Sequence, residues 1–179
     1  MKKLTEIANK HNTDKGTVAY EAHGYTEEYE KYIPDKGEFI LLEIGIWHGD
    51  SLRMWNEYNS DMSAHGLDID YNCLKWVDTY LHPFVHIGNA TNSLFIDKVL
   101  SISGKPDFII DDGSHKYEDI LASFKLLYPK LKKGGYYFIE DLHAGQAQKH
   151  NLISEITSNY DFNNFGFRCD GKLWIIEKP

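Results

Sequence analysis

From residue 39 onward, short apolar runs alternate along the chain with segments of helix length. This alternation is typical of βα units that feed a mainly parallel sheet. The predicted strands are 39–44, 64–69, 84–87, 107–111 and 136–140. The predicted helices lie near 51–58, 72–80, 92–101, 116–131 and 145–157. The pattern therefore predicts an α/β fold of the Rossmann-like kind.

The clearest helix signal is the segment 116–131, where Ile120, Phe124 and Leu127 recur at three- and four-residue spacing and form one apolar face. The C-terminal region departs from the βα rhythm. Two strand-like runs, 162–169 and 172–177, are joined by Asp170-Gly171, which favours a two-residue hairpin. The sequence thus predicts a seven-stranded sheet, mainly parallel, with a C-terminal antiparallel hairpin.

The first 38 residues are polar and aromatic, with predicted helical pieces around 2–10 and 25–32. No internal repeat, low-complexity tract or linker separates this segment from the rest of the chain. We therefore expect one domain over residues 1–179, in which 1–38 cap a Rossmann-like core at 39–179.

Composition limits the classes of binding partner and the cellular compartment that we expect. A formal net charge of -8 over 179 residues, with scattered lysines and arginines, argues against nucleic acid. No apolar run approaches the roughly 20 residues of a membrane span, and the N-terminus lacks a signal-peptide core, so a cytoplasmic protein is expected. The two cysteines, Cys73 and Cys169, are far apart and are expected to be free thiols.

The first predicted strand ends in Glu43-Ile44-Gly45, followed by Gly49 and a helix. The glycines allow a tight turn that approaches a ligand, and the helix N-terminus, with Asp50 or Ser51 as its cap, presents N–H groups. An acid such as Glu43 at the end of a buried strand is costly without a cationic or donor partner. The α-amino group of an amino-acid-bearing ligand would satisfy it.

The second predicted strand ends in Asp68, about 20 residues after the glycine turn, where an acid is placed to accept both ribose hydroxyls. Asp70 is expected to cap the next helix. After the third strand, Asn89 offers an amide near the expected adenine edge. Together with Glu43, these residues predict a nucleoside with an attached amino acid, which indicates S-adenosylmethionine.

Acids also follow the fourth and fifth predicted strands, in Asp111-Asp112-Gly113-Ser114-His115 and Glu140-Asp141-Leu142-His143. Four carboxylates at adjacent strand ends repel one another unless a cation or hydrogen bonds compensate them. Carboxylate oxygens with open positions suit Mg²⁺, or Mn²⁺, better than zinc. Helix capping by some of these acids is the alternative.

These motifs resemble class I methyltransferases, and among them the metal-dependent sugar O-methyltransferases of the macrolide (mycinamicin-type) family. The matching segments are Thr13-Asp14-Lys15, His23-Gly24-Tyr25, Leu42-Glu43-Ile44-Gly45 with Gly49, Ser51-Leu52-Arg53-Met54-Trp55, 111–115, Gly134-Gly135 and 139–143. The resemblance implies S-adenosylmethionine as methyl donor and a sugar-containing acceptor from a natural product, nucleotide sugar or surface polysaccharide.

The resemblance also implies roles for individual residues. The implied metal ligands are Asp112, Glu140 and Asp141. The implied general base is His115, with His143 as its rival. The residues expected to bind the cofactor are Thr13, Lys15, Tyr25, Glu43, Gly45, Ser51, Asp68, Asn89 and Asp111, of which the first three, with Asp14, are expected to fold over it.

Two features depart from the family. Asn89 stands where relatives usually carry an acid followed by glutamine, and a chain of 179 residues is expected to lack the added N-terminal domain and long substrate-binding insertions of the macrolide enzymes. The expected mechanism has the metal activate and orient a sugar hydroxyl while His115 takes its proton.

The alternative functions are methyl transfer to a catechol-like acceptor and non-catalytic binding of S-adenosylmethionine. An iron oxygenase is a weaker alternative, because no facial set of two histidines and one carboxylate is evident. A homo-oligomer is also conceivable from sequence.

Overall fold

The structure is a computed structural model that describes residues 3–142 and 146–179, without the side chains of residues 146 and 147. The helices of this part are α1 (Leu4–His11), α2 (Thr26–Tyr29), α3 (Asp50–Tyr58), α4 (Ser93–Ser103), α5 (Tyr117–Leu127) and α6 (Gln146–Asn159). The strands are β1 (Ile40–Ile44), β2 (Ser63–Asp68), β3 (Val85–Ile87), β4 (Phe108–Asp111), β5 (Tyr136–Ile139), β6 (Asn164–Arg168) and β7 (Leu173–Glu177).

The strands form one seven-stranded sheet in the order β3-β2-β1-β4-β5-β7-β6. The first five strands are parallel, and β7 runs antiparallel between β5 and β6. This topology confirms the predicted fold class. The chain moves outward from β1 to β3 and then returns to add β4 on the other side of β1. The carboxyl ends of β1 and β4 thus flank the point where the strand order reverses, which is where open α/β sheets bind ligands.

Helices cover both faces of the sheet, because successive strand residues point to opposite sides. On one face, Leu41 and Ile110 pack in a buried cluster with residues of α1, α2 and α3. On the other face, Leu42 and Ile109 pack with residues of α4, α5 and α6. Strands buried on both faces read as continuous apolar runs, which is why the parallel strands were visible in the sequence.

The helix predicted near 72–80 is wrong. The segment forms two short 3₁₀ turns, Tyr71–Lys75 and Thr79–Phe84. Asp70 accepts a hydrogen bond from the Asn72 N–H and starts the first turn, as expected of a cap. Pro83 lies inside the second turn, where it lacks an N–H donor and disfavours a helical residue before it. These restraints prevent a regular helix.

Two local details also differ from the sequence expectation. Helix α3 begins after Gly49 and has no side-chain cap, so neither Asp50 nor Ser51 caps it. The C-terminal strands do pair antiparallel, but Arg168 pairs with Leu173, so four residues connect them instead of two. The connection includes Cys169 and Asp170, both with positive φ.

The single-domain assignment stays a prediction. No helix in the described ranges has the length and apolar character needed to cross a membrane.

Candidate active site

A cavity of about 430 Å³ lies at the carboxyl ends of the parallel strands, beside the reversal point between β1 and β4. It is lined by residues from the loops that follow β1, β2, β3, β4 and β5. The sequence-predicted site residues among its walls are Gly45, Asp68, Asn89, Asp111, Asp112, His115 and Asp141, and Asp14 from the N-terminal segment joins them. The fold therefore brings seven predicted site residues to one concave surface.

The glycine turn after β1 adopts the backbone conformation that its sequence suggested. Gly45 and Gly49 have φ values of 81° and 75°, in the left-handed region that glycine adopts at little cost. A Cβ on Gly49 would lie 2.7 Å from Cγ2 of Val77. The second glycine thus allows the start of α3 to pack closely on the loop after β2.

Asp68 connects β2 to this turn. Its Oδ2 accepts hydrogen bonds from the N–H groups of Ile46 at 3.2 Å and Trp47 at 3.1 Å. Its Oδ1 accepts from the N–H of Asp70 at 2.8 Å. Asp68 therefore shapes the glycine turn while it lines the cavity.

Asn89 and Ser51, two of the predicted cofactor-binding residues, differ in their position relative to the cavity. The Asn89 side-chain oxygen accepts from the Thr91 N–H at 2.8 Å and from the Thr91 hydroxyl at 2.9 Å, which closes the loop after β3. Ser51 is buried in the first turn of α3. Asn89 faces the cavity, whereas Ser51 does not line it.

Glu43, at the end of β1, is fully buried. Burial raises its pKa to about 7, against the opposing attraction of Lys15. The Lys15 ammonium lies 3.3 Å from Oε1, and hydrogen bonding from Ser51 and Lys15 lowers the pKa of Glu43 against the larger effect of burial. Among the described residues, neither oxygen has a donor in good hydrogen-bond geometry.

Lys15 lies between α1 and α2, yet its side chain enters the acidic cluster and is only 1% exposed. Its Nζ lies 2.5 Å from Oδ2 of Asp112 and 2.9 Å from Oε2 of Glu140. Burial by itself would lower the pKa of Lys15, but the attraction of Asp112, Glu140 and Glu43 prevails and raises it well above the usual value. The lysine is therefore charged.

Three side chains converge at the end of the cluster nearest the cavity. The potential ligand atoms of Asp112, His115 and Asp141 all lie within 4.8 Å of one another. Burial raises the pKa of Asp112, and Lys15 opposes this. Asp141 accepts a hydrogen bond from the Tyr25 hydroxyl at 2.5 Å. Two carboxylates and an imidazole in this arrangement suit a divalent cation.

Glu140 is fully buried behind this group. Its Oε2 accepts from Lys15 and its Oε1 accepts from the hydroxyl of Tyr29. Burial and the nearby charge of Asp112 raise the pKa of Glu140 well above its ordinary range, while Lys15 and Tyr29 lower it. Both oxygens of Glu140 are thus engaged by the N-terminal segment, as are Oδ2 of Asp112 and Oδ1 of Asp141.

Asp111 turns toward α5. Its Oδ2 accepts from Ser123 Oγ at 2.5 Å and from the Tyr137 hydroxyl at 3.1 Å. Burial raises its pKa to about 6 despite these donors. The side chain borders the cavity and also links β4, β5 and α5.

The remaining predicted residues take different positions. Thr13 and Tyr25 are buried in the N-terminal segment, outside the cavity wall. His143 lies outside the described residues. The roles assigned to the predicted site residues stay predictions.

Sequence reasoning missed Tyr29 and His23. Tyr29 donates to Glu140, and the His23 Nε2 lies 3.4 Å from Oδ2 of Asp141. The spacing of Tyr25 and Tyr29, four residues apart in a predicted helix, is a signal that both hydroxyls share one face. No comparable signal ties either tyrosine to an acid more than 100 residues later.

Comparison with known proteins agrees with this arrangement. The family model described as "Methyltransferase domain" matches residues 42–142, from Leu42 in β1 to Leu142 after β5. The chain is 31% identical over 148 residues to mycinamicin VI 2''-O-methyltransferase of Micromonospora griseorubida, covering 78% of this chain and 36% of that protein. It is also 31% identical over 149 residues to demethylmacrocin O-methyltransferase of Streptomyces fradiae, again covering 36% of the relative. The chain thus spans about a third of the length of these relatives.

Solved structures show the same fold. MycE methyltransferase from the mycinamycin biosynthetic pathway, in complex with Mg and SAH, matches with a TM-score of 0.77 and 25% identity over 99% of this chain and 54% of that chain. The MycE complex with Mg, SAH and mycinamycin VI matches with a TM-score of 0.75 and 26% identity, with 99% of this chain and 54% of that one covered. The matched family region contains the glycine turn and both acidic strand ends, so the chain belongs to the methyltransferase domain family.

Proposed function

We propose that this chain binds S-adenosylmethionine and Mg²⁺ and transfers a methyl group to a hydroxyl of a sugar-containing acceptor. The observation that carries the proposal is the convergence of Asp112, His115 and Asp141 within 4.8 Å, beside a cavity that Asp68 and Asn89 also line. One surface thus offers a nucleoside site and a divalent-cation site. Similar proteins are named mycinamicin VI 2''-O-methyltransferase and 8-demethyl-8-alpha-L-rhamnosyl tetracenomycin-C 2'-O-methyltransferase, which supports a sugar-containing acceptor.

The donor half fits S-adenosylmethionine through residues on the strand ends. Glu43 is fully buried and does not line the cavity, so it would reach the α-amino group of the donor through water. Asp68 would accept from the ribose hydroxyls at the far side of the turn, and Asn89 would border the adenine. Gly45 keeps the turn free of a side chain where the ligand approaches.

The metal half fits a hard cation. Asp112 and Asp141 are the proposed direct ligands, because their oxygens converge with one another. Glu140 remains a proposed metal ligand. Its Oε2 and Oδ2 of Asp112 both contact the Lys15 ammonium, and these two neighbouring acids need more positive charge than Lys15 alone supplies. When bound, Mg²⁺ would supply Lewis-acid activation and orientation of the acceptor hydroxyl.

His115 is the proposed base. Its Nε2 lies 3.9 Å from Oδ1 of Asp112, close enough for the carboxylate to stabilise the imidazolium that forms. The acceptor oxygen forms a bond to the methyl carbon as the bond from that carbon to sulfur breaks. The sulfur keeps the electron pair and leaves as S-adenosylhomocysteine, and the hydroxyl proton passes to His115. His115 lines the same cavity as Asp68 and Asn89, so the proposed base and the proposed donor site face one space.

The test is mass spectrometry of an acceptor panel incubated with S-adenosylmethionine and Mg²⁺, with and without EDTA. The panel contains free sugars, nucleotide-linked sugars, glycosylated macrolides and a catechol. A mass gain of one methylene on a sugar, lost in EDTA, supports the proposal. Methylation of the catechol alone would identify the second acceptor class, and donor binding without any product would indicate a non-catalytic protein. The cytoplasmic location, the absence of a nucleic-acid partner and a homo-oligomer stay predictions.

A further inference from the structure

We propose that Lys15 is a positioning residue that joins the donor half of the site to the metal half. The inference rests on the proposed function, because it assigns the two halves to S-adenosylmethionine and Mg²⁺. Lys15 does not line the cavity and is 1% exposed, so its ammonium is placed to act on acids rather than on substrate. It acts through the carboxylates that it holds.

The geometry is that of one buried cation shared among three neighbouring strands. The Lys15 Nζ lies 3.3 Å from Glu43 at the end of β1, 2.5 Å from Asp112 after β4 and 2.9 Å from Glu140 after β5. β4 lies between β1 and β5 in the sheet. A shift of the ammonium therefore moves the donor-side acid and two metal-side acids together.

The charges explain why such a cation is needed. Glu43, Asp112, Glu140 and Asp141 are four buried or nearly buried carboxylates, and unpaired carboxylates in a protein interior are strongly destabilising. Lys15 supplies one positive charge that three of these acids share. A divalent ion and the α-amino group of the donor would add further positive charge on the metal side and on the donor side. Lys15 thus holds the acids in place before either ligand arrives.

The backbone of Lys15 is tied down independently of its ammonium. The Lys15 carbonyl accepts from the Thr26 N–H at 3.2 Å, and the neighbouring Gly16 carbonyl accepts from the Gly24 N–H at 2.8 Å. These bonds close the segment between α1 and α2 into a compact loop. The backbone from which the Lys15 side chain extends is therefore held in place, which a positioning role requires.

The first test is Lys15→Met, which keeps most of the length and removes the charge. The control is Lys31→Met, which removes an exposed lysine whose Nζ lies 2.6 Å from Oε1 of Glu28. We measure the melting temperature in EDTA and in Mg²⁺, and the Kd of S-adenosylhomocysteine by calorimetry with Mg²⁺ present. For Lys15→Met we expect a melting temperature about 10 °C lower in EDTA, recovered in part by Mg²⁺, and a Kd raised about tenfold. Lys31→Met should change neither quantity.

A second variant covers the case in which Lys15→Met does not fold. In Lys15→Met/Glu43→Gln, the cation and one of its acids are removed together, so fewer unpaired charges remain. The double variant should melt at a higher temperature than Lys15→Met, because removal of a lone buried charge relieves the penalty. A melting temperature no higher than that of Lys15→Met would overturn the inference, as would wild-type melting and affinity in Lys15→Met itself.

The two proposals fail in distinguishable ways. If the wild-type chain binds neither S-adenosylhomocysteine nor Mg²⁺, the proposed function fails. If the wild type binds both and Lys15→Met binds both equally well, only the role of Lys15 fails. A uniform loss of both ligands with no recovery of the melting temperature in Mg²⁺ would assign Lys15 to general folding and would also overturn the positioning role.

Discussion

Gly45 and Asp112 meet through their backbones, because the carbonyl oxygen of Asp112 lies only 2.1 Å from the position that a Cβ on Gly45 would take. The Asp112 N–H in turn donates to the carbonyl of Ile44 at 3.0 Å. The glycine turn of the donor side and the first acid of the metal side are therefore in direct contact. A change in one is transmitted to the other.

Gly45→Ala should destabilise the chain and weaken binding of S-adenosylhomocysteine. The new methyl group would displace the Asp112 backbone, and alanine is strained at a φ of 81°, so we expect a loss of about 3 kcal/mol in the free energy of unfolding. Urea denaturation measures the first effect and calorimetry the second. Gly134→Ala is the matched control, since Gly134 has a φ of 73° and no atom within 4 Å of the added Cβ. It should cost about 1 kcal/mol. Equal losses in the two variants would contradict the steric argument.

Tyr29→Phe should shift metal binding to higher pH. The Tyr29 hydroxyl donates to the buried Glu140 and lowers the pKa of that carboxyl, so its removal leaves a group that takes up a proton more readily. We expect the free energy of unfolding to fall by about 1–3 kcal/mol. The Kd of Mg²⁺, measured by calorimetry from pH 6 to about 9, should rise most at the acid end of that range. Tyr58→Phe removes a hydroxyl that donates to the Ile33 carbonyl at 3.0 Å, and serves as control. A metal affinity in Tyr29→Phe that matches this control at every pH would argue against the bond to Glu140.

Glu43 should make the ligand-free protein less stable as the pH rises. Its pKa is raised from 4.5 to about 7 on folding, so the folded state holds a proton that the unfolded state has released. Stability from this group is therefore lost progressively as the pH rises from about 4.5 to about 7, by up to about 3 kcal/mol. Asp111, raised from 3.8 to about 6, adds a loss of the same sign at lower pH.

Glu43→Gln removes the first of these contributions. In EDTA and without donor, thermal denaturation at a series of pH values should give a flatter profile for the variant than for the wild type between about pH 5 and 7. Identical slopes would show that Glu43 titrates normally in the folded state. Glu118→Gln is a suitable control, because Glu118 is an exposed acid in the first turn of α5.

His115→Ala should separate proton transfer from metal binding. If His115 acts as the base, kcat falls by about 10²–10⁴, while the Kd of Mg²⁺ stays close to the wild-type value. Glu140→Gln should instead weaken Mg²⁺, since it removes a charge from the proposed metal set. His150→Ala, at an exposed position on α6, is the control for the loss of a histidine. A large rise in the Mg²⁺ Kd for His115→Ala would instead indicate that the imidazole is a metal ligand. Its potential ligand atom lies within 4.8 Å of those of Asp112 and Asp141.

Much of the donor side was predictable because its signals are local. Gly45 and Gly49 predicted a tight turn, which their positive φ angles confirm, and Asp68 ends the next strand. The segment 72–80 was not predictable in the same way. Cys73 and Val77 in this segment and Leu81 just after it have helical spacing and are buried, but Pro83 and the turn begun by Asp70 restrict the backbone to 3₁₀ geometry. Local backbone restraints outweighed the periodicity.

By itself, the sequence determined that acids would gather at one edge of the sheet. Asp112 and Asp141 each follow a buried strand, and parallel strands end at the same edge, so their proximity follows from topology alone. Only the tertiary structure decided which cation and which donors meet them. Lys15 is 97 residues from Asp112, and Tyr29 is 111 residues from Glu140. No periodicity relates side chains so far apart, because their contact depends on how the N-terminal segment packs against the finished sheet.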